Sequence, residues 1–446
     1  MTNYKDKKVL VCGCARSGIS AAKLLLSKGA EVTLQDKKTE KELDLNSDEL
    51  KGITLFLGEN PDEIITGFDL VVLSPGIPAN LPFILKAKEA GIEVISEIEL
   101  AYTLCEAPVV AITGTNGKTT TTALTGEIFS KKYKTETVGN IGVPFSEKVL
   151  NLGKNDRAVI ENSSFQLENI KTYKPVCAAV LNITPDHLDR HGTVENYTRV
   201  KENVFKNMTE DNFLILNAED EATLKMAEKT KAKVYFFSSE KKVSGVWSDE
   251  KSIYVNMLGL SEKLIDIDEM NILGKHNVEN AMAAAALGLC GGVEIDLIRQ
   301  TLREFKAVEH RIEFVVTKKG VDYYNDSKGT NPDAAIKAVY AMKKPICLIG
   351  GGYDKHSDYA EWVATFKGRV KYLALIGAVK LDIKAECDRQ GFSDYELFDT
   401  FEEAVSACEN KAEEGDCVLL SPACASWDMF KSYEQRGEIF KDLVRS

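Results

Sequence analysis

Nowhere in this 446-residue chain is there an apolar run of about 18 residues or more, the length a helix needs to cross a bilayer. No membrane span is expected. The opening Met1-Thr2-Asn3-Tyr4-Lys5-Asp6-Lys7-Lys8 leads into a strand rather than an apolar signal core, so no export is expected either. No second cysteine pair answers Cys12-Gly13-Cys14 at zinc-site spacing, and most of the ten cysteines sit in apolar runs such as Val176-Cys177-Ala178 and Ile346-Cys347-Leu348. That pattern points to buried free thiols in a reducing compartment, not to a disulfide framework or a cysteine metal centre. The expected location is cytoplasmic. Positive charge is short as well: 56 Lys and Arg against 68 Asp and Glu leave a net charge of −12. Such a balance argues against a nucleic-acid or anionic-membrane partner. Any anionic substrate must then be met by locally placed cations and helix N-termini.

Short repeats and low-complexity tracts are also missing; what is present is alternation. β-rich runs and helical patterns follow one another almost throughout, which predicts parallel sheets flanked by helices. The length exceeds what a single core supports, and three α/β units are expected, at residues 1–97, 98–307 and 308–446. Strands are read at Val9–Cys12 and Glu31–Leu34 in the first, Ala158–Ile160 and Ala178–Leu181 in the second, and Tyr372–Ile376 and Cys417–Leu420 in the third. An alanine-rich helix over Asn277–Cys290 closes the second.

The strongest local signal is Gly114-Thr115-Asn116-Gly117-Lys118-Thr119-Thr120 after the apolar run Pro108-Val109-Val110. A strand ending in a glycine-bearing turn that feeds a helix presents free N–H groups to a phosphate chain. Lys118 can reach the terminal phosphates and the Thr119 hydroxyl can hold Mg²⁺. The general phosphate loop would place its first glycine at position 112, which is Ile; strand before and helix after nonetheless favour ATP binding. In the first block, Gly13-Cys14-Ala15-Arg16-Ser17-Gly18 fits the outer glycines of a dinucleotide fingerprint, but Ala15 stands where pyrophosphate contact favours glycine. On this segment alone an NAD-dependent dehydrogenase and a sugar-nucleotide binder both stay open. Asp36, at a strand end, can take a ribose or base edge, and Ser74-Pro75-Gly76 forms a turn where open α/β sheets bind ligands. Downstream, Glu161 and His187 follow successive strands and reach one sheet edge, an arrangement that favours a metal–phosphate site. A non-enzymatic nucleotide switch would explain the phosphate loop but not the basic and acidic motifs of the third block.

Those motifs carry a resemblance. Gly114 to Thr120, Glu161-x-Ser163-Ser164-Phe165-Gln166, Asn182-Ile-Thr-x-Asp186-His187-Leu-Asp189, Gly274-Lys275-His276-Asn277-x-x-Asn280, Glu309-His310-Arg311, Asn325-Asp326-Ser327-Lys328-Gly329-Thr330 and Leu420-Ser421-Pro422-Ala423-Cys424-Ala425-Ser426 occur in order along the chain. Together they resemble the Mur ligase family, enzymes that add amino acids to the peptidoglycan peptide. The resemblance implies an N-terminal Rossmann-like UDP-binding domain, a central P-loop ATPase domain and a C-terminal Rossmann-like domain that swings inward before chemistry. It implies ATP, two Mg²⁺ ions and an acyl-phosphate mechanism, with UDP-N-acetylmuramoyl-L-alanine and D-glutamate as partners. No nucleic acid, no membrane and no obligate protein partner is expected.

Residue by residue, the resemblance places Gly114 to Thr120 on ATP, with Lys118 and Thr119 at the γ-phosphate and the first Mg²⁺ and Glu161 completing that site. His187 falls to the second Mg²⁺ together with Lys201 as a carbamate; from the sequence alone, Lys201 reads as an ordinary solvated helix lysine. Asn277 and Asn280 match adenine contacts, and Arg311, Asp326 and Lys328 match phosphate and ribose contacts. Lys118, His187, Lys201 and Lys328 form the implied catalytic set. Arg16 and Ser17 match the diphosphate position, Asp36 and Lys37 the uracil edge, Ser74 a further contact, and Asn140 with His187 the muramoyl-alanine end. The Asp-Asn-Pro-Arg motif of the members that add a diamino acid is missing. Lys355 and Thr330 match the side-chain carboxylate site of D-glutamate instead, and Ser426 and Tyr433 its α-carboxylate site. Two positions depart from the family's usual pattern, Asn162 and Gly329.

Overall fold

The computed structural model describes residues 2–446 apart from 44, 46, 141, 307 and 354–356. The chain forms two compact units, residues 1–267 with 279–302 and residues 268–278 with 303–446.

The first unit holds two sheets. The first is β1 (Lys8–Cys12), β2 (Glu31–Asp36), β3 (Thr54–Leu57), β4 (Leu70–Leu73) and β5 (Glu93–Ser96), all parallel in the order 3-2-1-4-5. β1 and β4 are almost wholly buried, as their unbroken apolar runs require of central parallel strands, whereas the edge strand β3 is partly exposed. The second sheet has nine strands: β6 (Val109–Thr113), β7 (Thr135–Gly139), β8 (Arg157–Glu161), β9 (Cys177–Val180), β10 (Phe213–Asn217), β11 (Lys233–Ser238), β12 (Gly245–Ser248), β13 (Ser252–Met257) and β14 (Leu260–Asp266). Their order is 14-13-12-11-10-9-6-8-7. A single buried cluster runs from Val9 and Val11 through Ile98, Leu100 and Leu104 to Ala111 and Ile160, so these two sheets share one core.

The second unit carries a six-stranded sheet of β15 (Glu313–Lys318), β16 (Val321–Asn325), β17 (Ile346–Gly351), β18 (Val370–Ile376), β19 (Tyr395–Leu397) and β20 (Cys417–Leu420), in the order 15-16-20-17-18-19. Buried side chains cover both faces: Trp362 and Phe366 on one, Phe401 and Phe440 on the other.

Parallel pairing, the general expectation, fails at three strand pairs, two of them joined by tight turns. β13–β14 turn at Leu258-Gly259 and β15–β16 at Lys319-Gly320, and both pairs are antiparallel. Each turn has two consecutive residues at positive φ, 53° and 82° in one, 50° and 78° in the other. That is the tight hairpin turn whose twist matches the flanking strands. β12 also pairs antiparallel with β13. All ten cysteines are free, eight of them buried, as their apolar flanks foretold. Among the described residues, no helix is long and apolar enough to cross a membrane.

Candidate active site

Four adjacent parallel strands of the second sheet, β9-β6-β8-β7, deliver the motif residues to one edge. Ligand sites of open α/β sheets lie beyond such carboxyl ends. β6 runs into Gly114–Gly117 and then the helix Lys118–Ser130. Gly117 caps that helix at φ 83°, and a Cβ there would stand 2.3 Å from Asn280 Oδ1, so both backbone and space require glycine. Asn280 Oδ1 in turn accepts from Thr121 Oγ1. The loop after β9 latches the phosphate loop: Asn116 N donates to Asn182 Oδ1 at 2.8 Å, Asn182 Nδ2 donates back to Asn116 O, and Thr184 N donates to Thr115 Oγ1. Tyr197 OH lies 3.2 Å from the same Thr115 hydroxyl. Asn182, Thr184 and Tyr197 thus fix the loop's shape. The sequence gives Asn182 and Thr184 no role beyond their motif, although they stand directly after an adjacent strand; Tyr197, on the helix Val194–Glu202, carries no such signal.

Lys118 folds back on its own loop, its Nζ donating to Gly114 O at 2.9 Å and Thr115 O at 2.7 Å. Lys201 reaches the same carbonyl from the helix Val194–Glu202, donating to Gly114 O at 2.7 Å. Lys201 is 1% exposed, against the solvated lysine read from the sequence. Burial first, and then the Lys118 cation, hold its ammonium well below the ordinary lysine range, while Asp186 and Glu161 pull the other way. A neutral buried amine is the form that reacts with CO₂.

Glu161 ends β8 and is 1% exposed. Its Oε1 accepts from Asn140 Nδ2 at 2.8 Å, while Oε2 is buried without a hydrogen-bond partner. An orphaned carboxylate oxygen beside a phosphate loop is a hard donor, and with Thr119, also buried, it suits Mg²⁺. Asn140, matched to the sugar end of the substrate, is therefore also a support for Glu161. His187 sits at φ 52° with its side chain 46% exposed and its ring 4.8 Å from Phe165. Behind it, His191 is buried with Nε2 3.0 Å from Ser164 Oγ. Arg190, which sequence reading passed over, makes a fork to Glu168. Asn162 accepts from Tyr173 OH at Oδ1, giving that departure a hydrogen-bonding use.

In the first sheet, Gly18 packs so closely that a Cβ would stand 1.8 Å from Gly13 O, and Ser74 Oγ donates to that same carbonyl. The helix Arg16–Ser27 starts at the turn with no side-chain cap, leaving Arg16 and Ser17 at its open N-terminus. Asp36 accepts from Cys14 N at 2.9 Å and from Lys38 N. Its first task is to shape the two turns that carry Arg16 and Lys37. Arg16 also donates to Gly142 O at 2.6 Å.

In the second unit, β16, β20 and β17 are neighbours, which brings the loops at 325–330, 421–426 and 351–353 to one edge. Asp326 is buried, accepting from Ser421 Oγ at 2.8 Å and from Ile312 N. A Cβ at Gly329 would stand 2.4 Å from Asp326 Oδ2, which explains that departure. Lys328 Nζ lies 5.2 Å from the centre of the Tyr433 ring, and Lys328 N donates to His310 O. Thr330 N donates to Lys328 O, and Ser426 is buried. Arg436, wholly buried, was missed by sequence reading: it donates to Ser327 Oγ and to the carbonyls of Ser327 and Cys424, pinning two loops together. Asn277 is buried, with Nδ2 donating to Leu273 O. Lys355 lies outside the described residues.

Burial raises the Asp326 carboxyl to about 6 against the opposing pull of Arg311. The native state therefore holds this proton more tightly than the unfolded chain does. Its stabilising contribution is complete below the unfolded value near 3.8 and is lost as pH rises through about 6. The rise corresponds to about 3 kcal/mol. Urea unfolding of Asp326→Asn between pH 4 and 7 should show that part of the slope removed; an unaltered slope counts against it.

The family model of the Mur ligase MurD-like N-terminal domain matches residues 7–96, that of the Mur ligase middle domain residues 112–288, and that of the Mur ligase glutamate ligase domain residues 310–424. The UDP-N-acetylmuramoylalanine–D-glutamate ligase of Caldanaerobacter subterraneus subsp. tengcongensis is 47% identical, over 99% of this chain and 98% of its own length. The enzyme of that name from Lachnospira eligens is 48% identical, over 100% of both chains. Among solved structures, the UDP-N-acetylmuramate–alanine ligase of Thermotoga maritima shares the fold with a TM-score of 0.64 at 20% identity, over 98% of this chain and 99% of its own. Three domains matched in order, and near-half identity from end to end, place this chain in the Mur ligase family.

Proposed function

We propose that this chain joins D-glutamate to UDP-N-acetylmuramoyl-L-alanine, converting ATP to ADP and phosphate, as a step of peptidoglycan precursor synthesis in the cytoplasm. The observation that carries this reading is the end-to-end match to enzymes of that name. The phosphate loop with Lys201 and Glu161 beside it supports the ATP chemistry. We take the domains to be residues 1–97, 98–307 and 308–446.

A free carboxylate is a poor electrophile. In the first step a carboxylate oxygen of the substrate's alanyl end attacks the γ-phosphorus of ATP, ADP leaves, and an acyl phosphate forms. In the second step the amine of D-glutamate attacks the acyl carbon, the carbon–oxygen bond to phosphate breaks, and the amine gives up a proton. Lys118 and the N–H groups of Gly114 to Thr120 bind the phosphate chain and stabilise charge as it develops on the transferring group. Thr119, Glu161, His187 and a carbamylated Lys201 would hold two Mg²⁺ ions. When bound, these ions neutralise phosphoryl oxygens and align the reacting groups. Asn277 and Asn280 take the adenine, and Arg311, Asp326 and Lys328 the phosphates and ribose. Arg16, Ser17, Asp36, Lys37 and Ser74 hold the UDP part, with Asn140 and His187 at the muramoyl-alanine end. Lys355 and Thr330 take the side-chain carboxylate of D-glutamate; Ser426 and Tyr433 take its α-carboxylate.

Phosphate release with ATP, Mg²⁺, UDP-N-acetylmuramoyl-L-alanine and each amino acid offered singly tests the reading. Release should require the nucleotide sugar and D-glutamate together. Release with L-alanine or a diamino acid in place of D-glutamate would move the specificity elsewhere in the family. The metal role has its own test. Glu161→Gln should raise the Mg²⁺ concentration for half-maximal turnover by about ten- to a hundredfold. It should leave stability unchanged or slightly higher, because an uncompensated buried carboxylate oxygen is removed. A Mg²⁺ titration matching the wild type would exclude Glu161 as a ligand.

A further inference from the structure

We propose that Arg190 is a positioning residue that sets the two ends of the nucleotide-sugar site in register; this rests on the substrate assigned above. Its guanidinium uses four of five donors. Nε donates to Glu168 Oε1 at 2.9 Å and Nη2 to Glu168 Oε2 at 2.6 Å, the bidentate fork. Nη1 donates to Pro75 O and Nη2 to Ile77 O, both at 3.1 Å. Those two carbonyls belong to the turn after β4 that carries Ser74, whose hydroxyl donates to Gly13 O of the diphosphate turn. From the other side, Arg190 N donates to His187 O. The guanidinium lies 4.3 Å over the Phe165 ring, the ring that His187 meets edge-on.

One side chain therefore couples the first sheet's ligand turns to the loop that presents His187 on the second. Arg190 and Glu168 are 14% and 13% exposed, so the pair is shielded and geometrically fixed rather than a loose surface contact. The neighbouring cation–ring contact and the left-handed His187 backbone make the loop's path depend on it. Lysine keeps the charge but cannot supply a fork and two carbonyl bonds at once. Arg190 acts through the turn and through Phe165 rather than on a reacting atom.

Register between two ends matters only to a ligand that spans both. Titration calorimetry on the full-length protein with UDP alone and with UDP-N-acetylmuramoyl-L-alanine separates this role from general loosening. Arg190→Lys should bind UDP as the wild type does and bind the nucleotide sugar about tenfold more weakly. In turnover, the KM for the nucleotide sugar should rise by a similar factor while the KM for ATP stays put. Glu168→Gln, which keeps one of the fork's two acceptor oxygens, should recover part of the loss relative to Glu168→Ala. Equal weakening of both ligands in Arg190→Lys, or no weakening of either, overturns the proposal. Wild-type protein that binds UDP but not the muramoyl-alanine conjugate overturns the substrate assignment itself, and this inference with it.

Discussion

Lys118→Ala should lower kcat for D-glutamate-dependent phosphate release by about a thousandfold, with the folded state intact. Removing one preorganised cation from a site where charge develops on phosphoryl oxygens costs about 10²–10³ in rate. Stability should change little, because the side chain is only partly buried and donates to Gly114 O and Thr115 O of its own loop. The substitution has a second consequence. Lys118 is, after burial, the main influence that keeps the Lys201 ammonium down. Without it Lys201 holds its proton to higher pH, less neutral amine is available to CO₂, and the bicarbonate needed for residual turnover rises. The two lysines are therefore coupled, and the effects of Lys118→Ala and Lys201→Met should combine to less than their sum in ΔΔG‡. Steady-state rates across bicarbonate concentrations for both single variants and the double variant test this. Full additivity would mean that the two side chains work independently.

How much of this was legible beforehand depends on the distance over which each signal acts. The phosphate loop, its strand and its helix lie within about twenty consecutive residues, so pattern and turn chemistry sufficed. Glu161 and His187 were readable as strand-end residues, but that they reach the same edge follows from the order β9-β6-β8-β7, which alternation alone does not specify. Locally Lys201 reads as solvated, because a helix lysine between Val200 and Glu202 carries no mark of burial; only the family resemblance asks for a buried one. Its environment is made by Thr113 and Gly114, 88 and 87 residues away. Arg190 and Arg436 were invisible for the same reason: acceptors at Pro75 and Ile77 for the first, and at Ser327 for the second, lie far off in sequence. The two hairpins are a different failure. Leu258-Gly259 and Lys319-Gly320 are glycine-bearing turn pairs between β-rich runs, and the general βα alternation outweighed them.

Lys201→Met should abolish most turnover, by about 10²–10³, and yet make the protein more stable. At neutral pH the unfolded chain carries a protonated Lys201, while the native state buries it with its ammonium strongly disfavoured. Folding then weakens the hold on that proton, so between the two values the unfolded state binds more protons than the native one. Stability accordingly rises with pH from the depressed native value up to the ordinary lysine range near 10.5. Methionine fills nearly the same volume with no charge to neutralise, so that slope disappears. Against it stands the lost hydrogen bond to Gly114 O, worth about 1 kcal/mol. A net gain in stability at pH 7 is expected, shrinking as pH approaches the ordinary lysine range. Wild-type turnover should respond to bicarbonate when CO₂ is scrubbed from the buffer, and the residual rate of Lys201→Met should not. Paired urea unfolding curves at pH 7 and pH 9.5, alongside those rates, check both halves. A variant that loses stability and keeps its activity would return Lys201 to a packing role; one that gains stability as activity falls identifies a side chain kept for chemistry at the expense of the fold.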